Sequence, residues 1–87
     1  MSELRLREED LSWRQIDAEI VAVDVTKSTY LSANESGAVL WSLLVDGATR
    51  AELATALQDR YGIDRDRAEA DADAFVAALE SRGLLRS

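Results

Sequence analysis

Alternating polar and apolar residues in the first third of the chain predict three short β-strands. Leu11 and Trp13 alternate with polar residues over 11–17, which indicates a first strand. Residues 19–25 carry apolar side chains on both faces, as is typical of a central strand. Residues 29–33 form a shorter and more polar third strand. The pattern therefore predicts a meander in which the third strand lies at an edge.

The next part of the chain has the start and stop signals of two helices. Asn34 is a suitable N-cap for a first helix over residues 35 to about 45, because its side chain can accept from the free N–H groups of the first turn. Thr49 and Glu52 have the spacing of a capping box that opens a second helix, and Gly62 ends it. These signals predict two consecutive short helices.

A third helix is predicted over residues 64–82, with Asp64 as its N-cap. Gly83 has the position of a left-handed C′ residue, and Leu84 is placed to close a Schellman motif. The fold class is therefore α+β, winged-helix-like, with a three-stranded antiparallel sheet followed by three helices of which the last two resemble a helix-turn-helix pair. The predicted core stripe of the third helix consists of Ala68, Ala72, Phe75 and Leu79.

The length of 87 residues suits one domain. We expect residues 1–10 to be a short arm or an extra strand and residues 11–87 to be a single domain. Neither a secretory signal pattern nor a run of about 20 apolar residues is present, so we expect a soluble, cytoplasmic protein that does not bind membranes.

The composition excludes much catalytic chemistry. Histidine and cysteine are absent, which removes thiolate metal sites, cysteine nucleophiles and histidine bases. The carboxylates at 8–10 form a solvated charge run, and Asp71 and Asp73 point to different sides of a helix. The Asp-Ser-Leu triplet of acyl carriers does not occur. We therefore expect no enzyme activity, no cofactor and no metal.

The charge argues against nucleic-acid binding despite the winged-helix shape. The net charge is −7, and the third helix has six acidic residues against three arginines. Such a helix is repelled by phosphates. We expect no nucleic-acid partner, although a DNA-binding regulator remains the alternative of a different class.

The third strand presents an edge that nothing in its sequence blocks. Residues 29–33 contain neither proline nor charge, so the strand can accept an added peptide strand. Small alanines on the third helix would let large guest side chains approach, although they could equally be ordinary helix formers. The candidate peptide-binding residues are Thr29, Tyr30, Leu31, Ser32, Ala33, Asp71, Ala74, Phe75, Ala78 and Arg82.

An ordered series of short motifs resembles PqqD-like proteins over roughly residues 11–86. Ser12-Trp13-Arg14 and Glu19-Ile20-Val21 match the opening strands of that family. One departure is Ala33, where the family usually has leucine, and this change loosens the core or widens a pocket. The remaining matches are Tyr30–Trp41, Gly47, Thr49–Leu53, Tyr61–Asp64, Asp71, Phe75, Leu79 and Arg82–Leu85.

The resemblance implies a precursor-peptide recognition element of ribosomal peptide biosynthesis. Such a domain binds the leader of the precursor as a strand beside the third strand, against the third helix. The implied type is the discrete lasso-peptide protein, whose partners are a transglutaminase-like leader peptidase and a cyclase. A pyrroloquinoline-quinone-type peptide chaperone for a radical-SAM enzyme remains an alternative. Asp71 is then expected to attract basic leader residues, and Arg82 a leader carboxylate.

Overall fold

Three strands precede three helices in the computed structural model, which describes residues 3–86. The predicted fold class and element order are confirmed, and most predicted boundaries lie within one residue of those observed. The elements are β1 (Leu11–Ile16), β2 (Glu19–Asp24), β3 (Thr29–Ala33), α1 (Glu35–Asp46), α2 (Arg50–Tyr61) and α3 (Arg65–Ser81).

The strands form an antiparallel sheet in the order β1-β2-β3. β2 lies in the centre of the sheet. Its residue Ala22 lies opposite Trp13 of β1 on one side and opposite Leu31 of β3 on the other. Ile20 and Ala22 are buried, whereas Val23 is exposed, so one face of the sheet packs on the helices. Within the described residues, β3 pairs only with β2 and its other edge is free.

The predicted caps hold the three helices at fixed points. The side chain of Asn34 accepts from the backbone N–H of Gly37 at 3.1 Å, and Thr49 and Glu52 form the reciprocal capping box. Asp64 caps α3 in the same way. Leu84 N–H donates to the carbonyl of Leu79, and Gly83 has a φ of +70°, which completes a Schellman closure. These caps set where β3 ends and where α3 begins.

The core lies between the inner face of the sheet and the three helices. Trp41 is fully buried, and the indole of Trp13 meets it edge to face with ring centroids 5.9 Å apart. The prediction for α3 was wrong at one position, because Val76 is fully buried while Phe75 is only half-buried. Phe75 instead faces the space between α3 and β3. The core includes Ile20, Leu40, Leu44, Leu53, Leu57, Ala68, Ala72 and Leu79.

The segment before β1 pairs with the loop between α1 and α2 and with the segment after α3. Leu4 bridges to Ala48, and Leu6, which is buried, bridges to Leu85 near the end of the chain. The predicted arm (residues 1–10) and domain (residues 11–87) also include residues 1, 2 and 87, which lie outside the described residues. Among the helices of residues 3–86, none has the length and hydropathy needed to cross a membrane.

Candidate peptide-binding groove

A groove of about 710 Å³ lies between β3 and α3. The two walls of the groove, β3 and α3, have opposite chain directions. Lys27, in the turn before β3, donates from its ammonium to the carbonyl of Arg82 at 3.0 Å, so β3 begins beside the end of α3. Asp71 lines the groove together with Asn34, which directly follows β3. The groove therefore runs beside β3, with Arg82 at one end and Asp71 at the other.

The floor of the groove consists of small residues where α1 crosses the end of β3. A Cβ atom at Gly37 would lie 2.9 Å from the Cβ of Ala33 and 3.1 Å from a ring carbon of Phe75. Ala33 is the position at which the sequence motifs depart from those of the resembling family. With alanine and glycine facing each other here, the ring of Phe75 can lie half-buried in the groove instead of in the core.

The free edge of β3 exposes the backbone groups of every second residue. The N–H of Val25 donates to the carbonyl of Asp10 in the direction of β1. Because backbone groups along a strand alternate in direction, we infer that the even-numbered residues of β2 bond to β3. Their partners are Thr29, Leu31 and Ala33, so the backbone N–H and C=O groups of Tyr30 and Ser32 point away from the sheet.

Most of the predicted site residues come together in this groove. Leu31, Ser32 and Ala33 line it from the strand side. Thr29 and Tyr30 are exposed and do not line it, and Tyr30, which is 71% exposed, lies on the outer face opposite Val23. From the helix side, the lining residues are Asp71, Ala74, Phe75, Ala78 and Arg82.

Sequence reasoning missed part of the lining. Glu19 precedes the buried pair Ile20 and Ala33 and stands at the Asn34 end of the groove. The register of the sheet explains its position, since Glu19 lies directly across from the residue that follows β3. The other lining residues not predicted are Asn34, Ser36, Gly37, Leu40, Leu57 and Leu79.

A partly buried ion pair fixes the Arg82 end of the groove. The guanidinium of Arg7 lies 3.1 Å from the carboxylate of Asp24 and also donates to the carbonyl of Gly83. Asp24 in turn accepts from the backbone N–H groups of Thr26 and Lys27. Burial favours a higher pKa for Asp24, but the hydrogen bonds and positive charges of Arg7 and Lys27 outweigh it and hold the pKa below 3.8. The junction ties the turn before β3 to the end of α3.

A second pocket of about 380 Å³ continues the groove beyond Asn34. It is lined by Ile63 and by Tyr61, whose hydroxyl donates to Glu35 at 3.1 Å. Partial burial and the bond to Glu35 raise the pKa of Tyr61 above 10.0. A guest longer than β3 therefore meets a mixed apolar and charged surface at this end, with Glu35, Asp71 and Arg67 in its lining.

Comparison with protein families decides the assignment of the chain. The model for coenzyme PQQ synthesis protein D (PqqD) matches residues 19–85. The chain belongs to the PqqD family. The matched region of this PqqD-family protein spans β2, β3 and all three helices and thus contains both walls of the groove. The resemblance seen in the sequence motifs is confirmed.

Two solved structures are similar to this PqqD-family protein over nearly its whole length. One is TbiB1 in complex with the TbiA(beta) leader peptide, with 29% identity, a TM-score of 0.86 and coverage of 95% of both chains. The other is lasso peptide synthetase B1 complexed with the leader peptide, with 31% identity, a TM-score of 0.85 and coverage of 99% of this chain and 100% of that one. No curated protein sequence matches the chain.

Proposed function

We propose that this protein binds the leader of a ribosomally made precursor peptide and contributes no catalytic group of its own. The leader adds as a fourth strand to the free edge of β3 and lies in the groove against α3. The observation that carries this proposal is the combination of an open strand edge with an adjoining groove in a chain similar to two proteins that were solved with leader peptides.

The backbone of β3 supplies the attachment points of the leader. Tyr30 and Ser32 each offer an N–H and a C=O to a new strand, which gives up to four main-chain hydrogen bonds. These bonds do not depend on the side chains of the guest. Affinity therefore comes in part from the edge, and selectivity comes from the groove.

The groove divides the side chains of the added strand into two sets. Guest residues that point inward contact Leu31, Phe75 and the small residues Ala74 and Ala78, which favours apolar side chains there. Guest residues that point outward lie beside Tyr30, on the exposed face of the sheet. An alternating guest fits this arrangement best.

The similarity to lasso peptide synthetase B1 supports a lasso-peptide setting. In this setting the protein delivers its bound leader to a separate transglutaminase-like peptidase and to a cyclase in the cytoplasm. The family model supports a second candidate, a chaperone of coenzyme PQQ synthesis that presents its peptide to a radical-SAM enzyme. Both functions use the same groove and differ in the enzyme that receives the peptide.

Fluorescence-polarisation titration tests leader binding directly. The probe is a fluorescein-labelled synthetic leader, copied from a short precursor encoded near this protein's gene. Ala78→Glu places a bulky charge in the groove and is expected to weaken binding at least tenfold. Ala77→Glu is the matched control, because Ala77 is exposed on the same helix outside the groove lining. Absent binding, or equal losses in the two variants, would refute the proposal.

Pull-down with purified enzymes separates the two receiving partners. A leader-dependent complex with the lasso peptidase, but not with a radical-SAM enzyme, is the expected result. The opposite preference would replace the lasso assignment with the quinone-cofactor assignment and leave leader binding unchanged.

A further inference from the structure

The groove carries opposite charges at its two ends. Glu19 and Asp71 line the end beside Asn34, where β3 finishes. Arg82 lines the other end, and the ammonium of Lys27 stands there as well, at the carbonyl of Arg82. A guest that spans the groove thus meets negative charge at one end and positive charge at the other.

These charges are available to a guest. Asp71 has one cationic neighbour, Arg67, at 3.8 Å, and both side chains of that pair are more than half exposed. Within residues 3–86, neither Glu19 nor Arg82 has an ion-pair partner within 4.0 Å. A charged guest side chain at either end therefore has no strong internal pair to displace.

The distance between the charged ends sets the spacing that a guest must have. Asp71 and Arg82 are 11 positions apart along α3 and its C-cap, which corresponds to about 16 Å at a rise of about 1.5 Å per residue. An extended strand covers that distance in about five residues. Because successive side chains of a strand point to opposite faces, two charged guest residues about four or six positions apart both face the groove and can reach its two ends.

The direction of the guest sets the order of its charges. The existing sheet is antiparallel, and antiparallel pairing is slightly more stable per residue than parallel pairing. A guest antiparallel to β3 enters at the Asp71 end and leaves at the Arg82 end. We propose that the groove selects an antiparallel guest strand in which a basic residue precedes an acidic residue by about four or six positions. This proposal rests on leader binding in the groove and specifies its charge order.

Peptides of equal composition test the charge order. Three versions of the labelled leader carry Lys then Glu, Glu then Lys, or Gln at both places, about four positions apart and both on the face that points into the groove. At about 50 mM salt we expect the Lys-then-Glu peptide to bind at least fivefold more tightly than its reverse, with the Gln peptide in between. Raising the salt to about 500 mM should shrink the preference, because exposed charges are then screened.

A charge-swapped protein provides the reciprocal measurement. Asp71→Lys combined with Arg82→Glu should prefer the Glu-then-Lys peptide by a similar factor. The control, Asp66→Lys combined with Arg86→Glu, changes exposed charges outside the groove lining and should keep the original preference. Circular dichroism verifies that both variants fold. The comparison of the three peptides on the unmodified protein does not depend on these variants.

The outcomes separate this proposal from leader binding itself. If all three peptides bind the unmodified protein equally and Ala78→Glu abolishes their binding, the charge order is wrong while leader binding stands. If the Glu-then-Lys peptide binds more tightly, the guest direction is wrong. If no peptide binds, both proposals are wrong.

Discussion

Gly37 and Ala33 lie against each other so closely that a methyl group at residue 37 would stand 2.9 Å from the Cβ of Ala33. This contact joins the first turn of α1 to the last residue of β3. It also leaves the ring of Phe75 only 3.1 Å from the same point. The floor of the groove therefore has no room for a further carbon atom unless one of its walls moves.

Gly37→Ala is expected to destabilise the protein and weaken leader binding. Helix propensity alone would favour alanine by about 0.8–1 kcal/mol, whereas overpacking costs about 1–3 kcal/mol. We expect a net loss of about 1 kcal/mol in the free energy of unfolding, measured by urea titration. Ser42→Ala, at an exposed position of α1, serves as a control without the steric cost. A Gly37→Ala protein more stable than the unmodified one would contradict the packing described.

Two proline substitutions distinguish the free edge from the paired edge of β3. Ser32→Pro removes an N–H that faces away from the sheet, so the fold should survive while leader affinity falls at least tenfold. Leu31→Pro removes a donor to β2 and leaves a carbonyl there unsatisfied, at a cost of about 1–3 kcal/mol. Thermal unfolding and fluorescence polarisation measure both effects. A folded Ser32→Pro protein with full affinity would exclude strand addition at this edge.

Arg7→Met is expected to lower the melting temperature by several degrees and to weaken leader binding. It leaves the buried carboxylate of Asp24 without its guanidinium and frees the turn before β3 from the end of α3. Arg67→Met removes an exposed arginine from a long ion pair and should barely change the melting temperature. Equal melting temperatures for the two variants would show that the junction does not hold these segments together.

The same junction predicts acid sensitivity. The pKa of Asp24 is lower in the folded protein than its ordinary value of 3.8, so the unfolded chain binds this proton more readily. The stability that Asp24 contributes is present above pH 3.8 and is lost as the pH falls through its lower folded value. Urea denaturation between pH 6 and pH 3 should show this loss, and Asp24→Asn should reduce it. An identical pH dependence in Asp24→Asn would contradict the assignment.

Local signals in the sequence made most of the fold predictable. Asn34, Thr49, Asp64 and Gly83 act through neighbouring residues, and the structure places their caps where the pattern predicts them. The alternation over residues 29–33 likewise gave the edge strand correctly. Interactions within a few residues of the chain can be recognised without knowledge of the tertiary structure.

The groove was only partly predictable, because its shape depends on contacts between distant segments. Periodicity could not decide between Phe75 and Val76, since adjacent helix positions lie only about 100° apart. The ring of Phe75 lies beside Gly37, a contact between distant segments that the helix pattern does not contain. The pair of Arg7 and Asp24 joins residues of two different segments, and neither shows a local motif. The direction in which the backbone N–H and C=O of Ser32 point could be deduced only from the register of the sheet.

Amide hydrogen exchange at single residues tests strand addition most directly. In a ¹⁵N-labelled protein, NMR compares the exchange rates of Tyr30, Leu31 and Ser32 with and without saturating leader peptide. Strand addition predicts that exchange at Tyr30 and Ser32 slows at least tenfold, because both N–H groups gain a partner, while Leu31, already bonded to β2, changes much less. Unchanged exchange at Tyr30 and Ser32 in the saturated complex would show that the leader does not bind along this edge.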